Sequence, residues 1–391
     1  MIKKMKFLIA EVIPTLFKLL FAIVLKWFGY KKIYSNCWIV SERGDDARDN
    51  GFFFFKYLCD NHPEIECFYL ITTDSADYSK VCSCGNVIEY GSISHYVAVL
   101  QAKCLLSSHI MGFTPNVEVF TILQKKNVFD FKGKKIFLQH GIIKDDIEGL
   151  KYPNVKVDMF VSGAYEEYLV LCNTYRHPQG TIRLTGLARY DGLNSNKTKK
   201  QILIMPTWRM WLRNKSDTEF MESSYYKAFA DFLNSDELRD WLLAIGYQVL
   251  FYLHYEFQEY SHLFKTAECD SIRICEFNRY EVQTLLKDCE LLITDYSSVF
   301  FDVAYQRKPI IYLQFDQNEF RGGHYNKGYF DETSFGYVVQ TSDQLLNVLK
   351  FIYRGTSFRN DFEENQNHFF RNLNGSCCDN IYRNLVEIIY E

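Results

Sequence analysis

The chain has 391 residues, 48% hydrophobic and 24% charged, which is long enough for two domains with full cores and too apolar for disorder. Its net charge of −4 provides no basic face, so no nucleic-acid partner is expected. The 12 cysteines are scattered. Cys82 with Cys84, and Cys377 with Cys378, match neither zinc-site nor redox-motif spacing; they read as reduced thiols of a cytosolic protein, and no metal site is expected.

Residues 1–32 break this average. Lysines stand at 3, 4, 6, 18, 26, 31 and 32 against one acid, Glu11, amid long apolar runs. At about 100° per residue, Lys4, Glu11, Thr15, Lys18, Ala22 and Lys26 share one stripe and the rest of the cylinder is apolar. Glu11 and Lys18 sit mid-segment, which disfavours a span, and no small-residue cleavage site follows. The expectation is an amphipathic helix in the membrane surface, apolar face down and lysines near anionic headgroups. A helix packed on the protein's own core, or a true span, are the alternatives. Pro14 kinks the helix or marks its start.

From Cys37 the pattern is regular. A short strand at Cys37–Val40 leads into the polar loop "SERGDDARDNG", a helix "FFFFKYLCD" and a strand "ECFYLIT". Helix Tyr96–Lys103, strands Cys104–Ser107, Lys135–Leu138 and Asp158–Val161, helix Ala164–Cys172 and strand Thr181–Leu184 follow. A polar linker at 194–200 precedes a second half with strands Gln201–Met205, Gln248–Leu253, Ile272–Cys275, Leu291–Thr294, Pro309–Leu313 and Tyr337–Gln340. Helices are expected between them at Tyr225–Phe232, Ser235–Ile245, Glu281–Asp288, Ser298–Gln306 and Ser342–Tyr353, with a last one at Asp379–Tyr390. This alternation predicts two α/β domains, 33–193 and 194–391, each an open and mostly parallel Rossmann-like sheet. Ligands of such sheets bind beyond the carboxyl ends of the strands.

Several loops at those ends carry chemistry. "KKIFLQHGII" runs from a strand into His140-Gly141, the glycine allowing a sharp turn and the imidazole suited to taking a proton from an alcohol. "ILIMPTWRMW" offers Thr207, Trp208 and Arg209, whose guanidinium can grip phosphate. "VLFYLHYEF" supplies His254. "LLITDYSSVFFDVAY" places Asp295, Ser297 and Ser298 before a helix, where first-turn N–H groups and hydroxyls can cradle an anion. A plain capping motif is the bland alternative. Asp295 itself would repel phosphate, so it orients a donor, caps the loop or binds a polyol hydroxyl. The segment 321–336, "RGGHYNKGYFDETSFG", reads as a loop over a substrate or simply a surface loop.

Together "LQHG", "PTWR", "YLH", "ITDYSSVFFDVAYQRKPIIYL", "SERGDDARDNG" and "TGLARYDGL" resemble the CDP-glycerol glycerophosphotransferase family of teichoic-acid and capsule polymer synthesis, over about residues 37–390. The resemblance implies two Rossmann-like domains in a glycosyltransferase-B-like arrangement, held peripherally at the cytoplasmic membrane face. Its reaction is transfer of a polyol phosphate from a CDP-activated donor to a hydroxyl of a lipid-linked or glycan acceptor, releasing CMP, with no cofactor besides the donor. Residues 33–193 would serve the acceptor and 194–391 the donor.

Matched by motif, His140 is the expected general base. His254 and Arg209 steady the diphosphate, and Ser297 and Ser298 hold phosphate oxygens. Gly141, Thr207, Asp295 and Asp302 belong to the matching motifs, and Arg189 in "GLARYD" is a further phosphate candidate. Tyr255, Met210 and Ile142-Ile143 depart from the family pattern. A nucleotide-sugar glycosyltransferase and a non-catalytic membrane scaffold are the rival readings, since fold alone does not fix chemistry.

Overall fold

The computed structural model describes residues 2–30, 32–193, 198–277, 279–323, 328–330, 332–354 and 360–390. Residues 194–197 of the expected linker, and 324–327 and 331 of the glycine-rich loop, lie outside the described residues.

The chain divides into two compact units: Met1–Ile142 with Ile147–Asp191 and Asn372–Glu391, and Ile143–Asp146 with Gly192–Arg371. In the first unit, β1 (Trp38–Ser41), β2 (Cys67–Ile71), β3 (Asn86–Glu89), β4 (Cys104–Ser107), β5 (Lys134–Phe137), β6 (Met159–Ser162) and β7 (Ile182–Leu184) form one sheet of order β3-β2-β1-β4-β5-β6-β7. Every pairing is parallel. The inner strands β1, β2, β4 and β6 are buried along their whole length, as strands of a covered parallel sheet are. β3 has no counterpart in the sequence reading: it is an edge strand in which only Ile88 is buried, so no apolar run announces it.

The last helix, Cys377–Tyr390, belongs to this first unit. The expected carboxyl-terminal domain over 194–391 therefore gives up residues 372–391. The Asp191 carboxylate accepts the N–H groups of Cys377 (2.7 Å) and Cys378 (2.8 Å), satisfying donors that open the helix. Tyr382 stacks on His62 with ring centroids 3.6 Å apart.

At the amino terminus Ile2–Phe7, a π-helical turn Leu8–Val12 and Ile13–Trp27 run on as one helix, with Pro14 in the first turn of its last part. From Glu11 onward its polar stripe lies on the side that meets the protein. Thr15, Leu19 and Ala22 are buried in the core shared with helix Ile93–Gln101, Lys18 Nζ donates to Gly91 O (3.2 Å), Lys26 Nζ to Leu100 O, and Glu11 accepts from Asn116 (2.8 Å). Lys18 and Lys26 thus meet backbone carbonyls rather than pointing to where headgroups were expected. Outward face Leu8, Ile9, Ile13, Phe17 (72% exposed), Leu20 and Trp27 (88% exposed).

In the second unit, β8 (Gln201–Ile204), β9 (Gln248–Tyr252), β10 (Ile272–Cys275), β11 (Leu291–Thr294), β12 (Ile310–Leu313) and β13 (Tyr337–Val339) form a parallel sheet of order β10-β9-β8-β11-β12-β13. Its core joins strand residues such as Ile204, Phe251 and Ile293 to helix residues such as Phe229, Leu242 and Leu345. In both sheets the strand order reverses beside the first strand, so loops after β1, β4 and β5, and after β8, β9 and β11, gather at the carboxyl edges.

Candidate active site

In the first unit the decisive turn follows β5. Gln139 has φ 61°, a left-handed conformation that a side chain makes costly. Its surroundings impose it. Gln139 is fully buried, its Nε2 donates to Val161 O (2.6 Å) and Glu167 Oε1 (3.2 Å), and its carbonyl accepts from Asn50 Nδ2 (2.7 Å). The sharp turn expected of Gly141 is made here instead. A Cβ at Gly141 would meet only Arg189 Nη2, at an ordinary 3.5 Å.

The turn delivers His140 to the surface with its side chain 65% exposed and its Nδ1 2.6 Å from Asp49 Oδ2. Asp49 stands at the cap position of helix Asn50–Asn61, yet its side chain does no capping. Buried Glu42 does it instead, accepting N–H groups of Arg48 (2.9 Å), Asp49 (2.9 Å) and Phe52 (2.8 Å). That leaves the Asp49 carboxylate to face His140. Burial, then Asp49 and Asp46, push the Glu42 carboxyl well up.

Arg189 Nη1 lies 2.9 Å from Asp49 Oδ1 and donates to His140 O at 2.7 Å, and the Arg189 N–H donates to Asn50 Oδ1 at 3.0 Å. It is buried, so it braces the Asp49–His140 pair rather than reaching out as the expected phosphate contact. Burial drives the Asp49 carboxyl up, but His140 and Arg189 outweigh it and hold it down at about 2. Asp49 therefore accepts the proton of Nδ1, the neutral tautomer leaves its lone pair on Nε2, and Nε2 has no partner among the described residues.

A second imidazole stands beside it. His109, after β4, has its ring centroid 4.9 Å from that of His140, accepts from Arg43 Nε at Nε2 (3.1 Å) and has Ser108 Oγ 3.2 Å from Nδ1. Burial and the neighbouring His140 lower its pKa to about 4.

In the second unit Arg209 is 0% exposed. Its Nε and Nη2 donate to the two Asp316 oxygens (2.6 and 3.1 Å), its Nη1 donates to Thr207 O (2.6 Å), and Nη1 lies 2.9 Å from Asp295 Oδ2. Rings of Tyr225, Tyr296 and Phe320 surround it at 5.0–5.2 Å. Arg209, expected as a phosphate grip, is turned inward and ties the loops after β8, β11 and β12 together. Asp295 is fully buried too, its Oδ1 accepting from Thr207 N (2.8 Å) and Tyr296 N (2.5 Å), which makes it a loop brace rather than a polyol contact.

The helix after β11 is Phe300–Tyr305, shorter than expected; Phe300, Phe301, Val303 and Ala304 are buried, and Val299 takes the cap position without a side-chain bond. Ser297 Oγ accepts only a long 3.5 Å bond from Val299 N–H. Ser298 is exposed and Ser297 half-buried, so both hydroxyls remain at the surface, while Asp302 is buried.

His254 follows β9 and opens the 3-10 helix Tyr255–Ala267. Its Nδ1 accepts from Glu256 N–H (3.2 Å), so its neutral ring carries the proton on Nε2, and it stacks on Trp208 at 6.1 Å and 24°. The Arg213 guanidinium lies 6.0 Å from the Trp208 ring and 3.1 Å from Glu256 Oε2. Among the described residues no group of three or more His, Cys, Asp or Glu side chains is disposed to hold a metal.

A family model for CDP-glycerol:poly(glycerophosphate) glycerophosphotransferases matches residues 24–387. The chain belongs to that family. The minor teichoic acid biosynthesis protein GgaB of Bacillus subtilis (strain 168) is 28% identical over 365 residues, 90% of this chain and 40% of GgaB. A teichoic acid poly(glycerol phosphate) polymerase of Bacillus spizizenii is 30% identical over 184 residues, 46% of this chain and 42% of that protein. This member of the glycerophosphotransferase family thus spans less than half the length of either relative. The wall teichoic acid polymerase TagF shares its fold, with a TM-score of 0.65 at 15% identity over 97% of this chain and 98% of that chain.

Sequence reasoning places His140, His254, Ser297 and Ser298 at exposed or half-exposed strand ends, where the structure has them. It misses Asp49, Glu42, His109, Arg213 and Asp316. The one available signal was the acid-rich run "SERGDDARDNG", whose last acid stands immediately before a helix.

Proposed function

We propose that this chain transfers a polyol phosphate, glycerol phosphate foremost, from a CDP-activated donor to a hydroxyl of a lipid-linked or glycan acceptor in teichoic acid or capsule polymer synthesis, at the cytoplasmic face of the membrane. The observation that carries the reading is the Asp49–His140 pair, which presents an exposed Nε2, without a partner among the described residues, as a base. The acceptor hydroxyl gives its proton to this Nε2 as its oxygen bonds to the β-phosphorus. The bond from the β-phosphorus to the bridging oxygen breaks, and CMP leaves with that oxygen. Asp49 stabilises the imidazolium that forms, as a carboxylate behind a catalytic histidine does.

His254 carries the opposite tautomer and the opposite role. Its Nε2–H donates to a phosphate oxygen, with the Ser297 and Ser298 hydroxyls as further donors, since phosphoryl transfer is governed by positioning and charge stabilisation. A variant of TagF was soaked with CDPG, which supports a CDP-polyol donor here. The segment Met5–Trp27 is long and apolar enough to cross a membrane. Its polar stripe is seated on helix Ile93–Gln101, which supports a helix lying in the membrane surface with its outer face immersed.

Mass spectrometry of the nucleotide product tests the reaction. With CDP-glycerol or CDP-ribitol and a membrane extract, the purified protein should release CMP, and His140→Ala should not. A nucleoside diphosphate released from a nucleotide-sugar instead would establish glycosyl transfer and overturn the proposal.

A further inference from the structure

Every connection between consecutive strands of the first sheet carries an α-helix except one. The chain between β5 and β6 has only the 3-10 turn Glu148–Leu150. A parallel sheet needs cover over both faces, and here loop residues such as Phe113 and Val155 stand in for the missing helix, leaving Ile136 and Phe137 buried. The result is a groove of about 570 Å³ between helix Val117–Lys125 and residues 153–157. That volume lies within the range of small-ligand sites.

Its floor is apolar, built by Phe113, Phe129, Ile136, Phe137 and Val155. Its rim is polar and cationic. Lys135 is paired with Asp130 at 2.9 Å, whereas Lys125 and Lys156 are exposed and have no ion-pair partner among the described residues. His109 also lines it, and its ring lies 4.9 Å from that of His140. Three consecutive residues of β5, Lys135, Ile136 and Phe137, contribute to its lining, on the strand that leads into His140.

We propose that this groove is the acceptor subsite, holding the phosphodiester-linked polyol chain whose terminal hydroxyl meets His140. The proposal rests on the phosphotransferase reading above. Phosphates spaced along the chain complement Lys125 and Lys156, and the carbons between them lie over the apolar floor. A prenyl or acyl chain would call for an apolar rim, and Gln124, Asn127 and Asn154 make this one polar.

Steady-state kinetics of the full chain with CDP-glycerol and a short soluble oligo(glycerol phosphate) test it. The double variant Lys125→Glu/Lys156→Glu should raise KM for the oligomer about tenfold or more and change kcat less than about threefold, and Lys125→Arg/Lys156→Arg should keep KM near the wild-type value. Val128→Trp, which fills the rim without altering charge, should raise KM as well. Thermal midpoints of the exposed-site variants control for folding. An unchanged KM in both Lys125→Glu/Lys156→Glu and Val128→Trp overturns the proposal. A rise seen only with lipid-linked acceptor in vesicles overturns the polymer assignment in favour of a lipid headgroup. If the wild-type chain releases no CMP from any CDP-polyol, the reaction reading itself fails.

Discussion

Asp49 and His140 are 91 residues apart in the chain and 2.6 Å apart in space, and the Arg189 guanidinium touches both. This triangle fixes which imidazole nitrogen holds the proton. Asp49→Asn keeps the shape and loses the charge that selects the tautomer, so kcat should fall about 10²–10⁴-fold in a folded protein. A near-normal kcat would show that His140 works without Asp49.

One buried and one half-buried histidine set an acid limit on stability. Burial holds both His95 and His109 at about 4. The unfolded chain binds protons at these sites below about pH 6.5, so the stabilisation is complete above that value and lost as pH falls toward 4. For fully buried His95 the loss is on the order of 3 kcal/mol. Urea midpoints measured at pH 7.5 and pH 5 should show the fall, and His95→Gln should flatten it.

Removing Arg209 would strand two buried carboxylates, Asp295 and Asp316. Arg209→Ala should therefore cost about 3–5 kcal/mol, and Arg209→Lys should rescue little because an ammonium cannot bond both Asp316 oxygens in a plane. Chemical denaturation decides this. A variant with a raised KM and unchanged stability would instead restore Arg209 as a phosphate contact.

Because Lys18 and Lys26 donate to backbone carbonyls, the proposed membrane attachment should be apolar rather than electrostatic. Liposome sedimentation should change little between 0.1 and 0.5 M salt or between neutral and anionic lipid, whereas Phe17→Glu/Leu20→Glu should abolish it. Strong dependence on anionic lipid would contradict this orientation.

The contrast between stripe and orientation shows what the sequence could disclose. Helical periodicity groups Thr15, Lys18, Ala22 and Lys26 correctly but is silent on the neighbour they meet, which is helix Ile93–Gln101, some 70 residues on. Strand-end loops were legible because apolar runs stop abruptly at His140, His254 and Asp295. The fate of Arg209 was not, since its partner Asp316 lies 107 residues away. Nor does any pattern mark Gln139 as the left-handed residue; only its buried partners Asn50, Val161 and Glu167 impose that turn.

The return of residues 372–391 to the first unit has a consequence for biosynthesis. Asp191 leaves the ribosome with its carboxylate facing nothing, and the N–H groups of Cys377 and Cys378 follow only after residues 192–371 have been made. At ~5–20 residues per second that interval is on the order of ten to forty seconds. Throughout it, Trp38 and His62 lack Tyr382, so the half of the molecule bearing the proposed base stays unsealed while the other half emerges and folds. Of the two units, the first is begun before the second and completed after it.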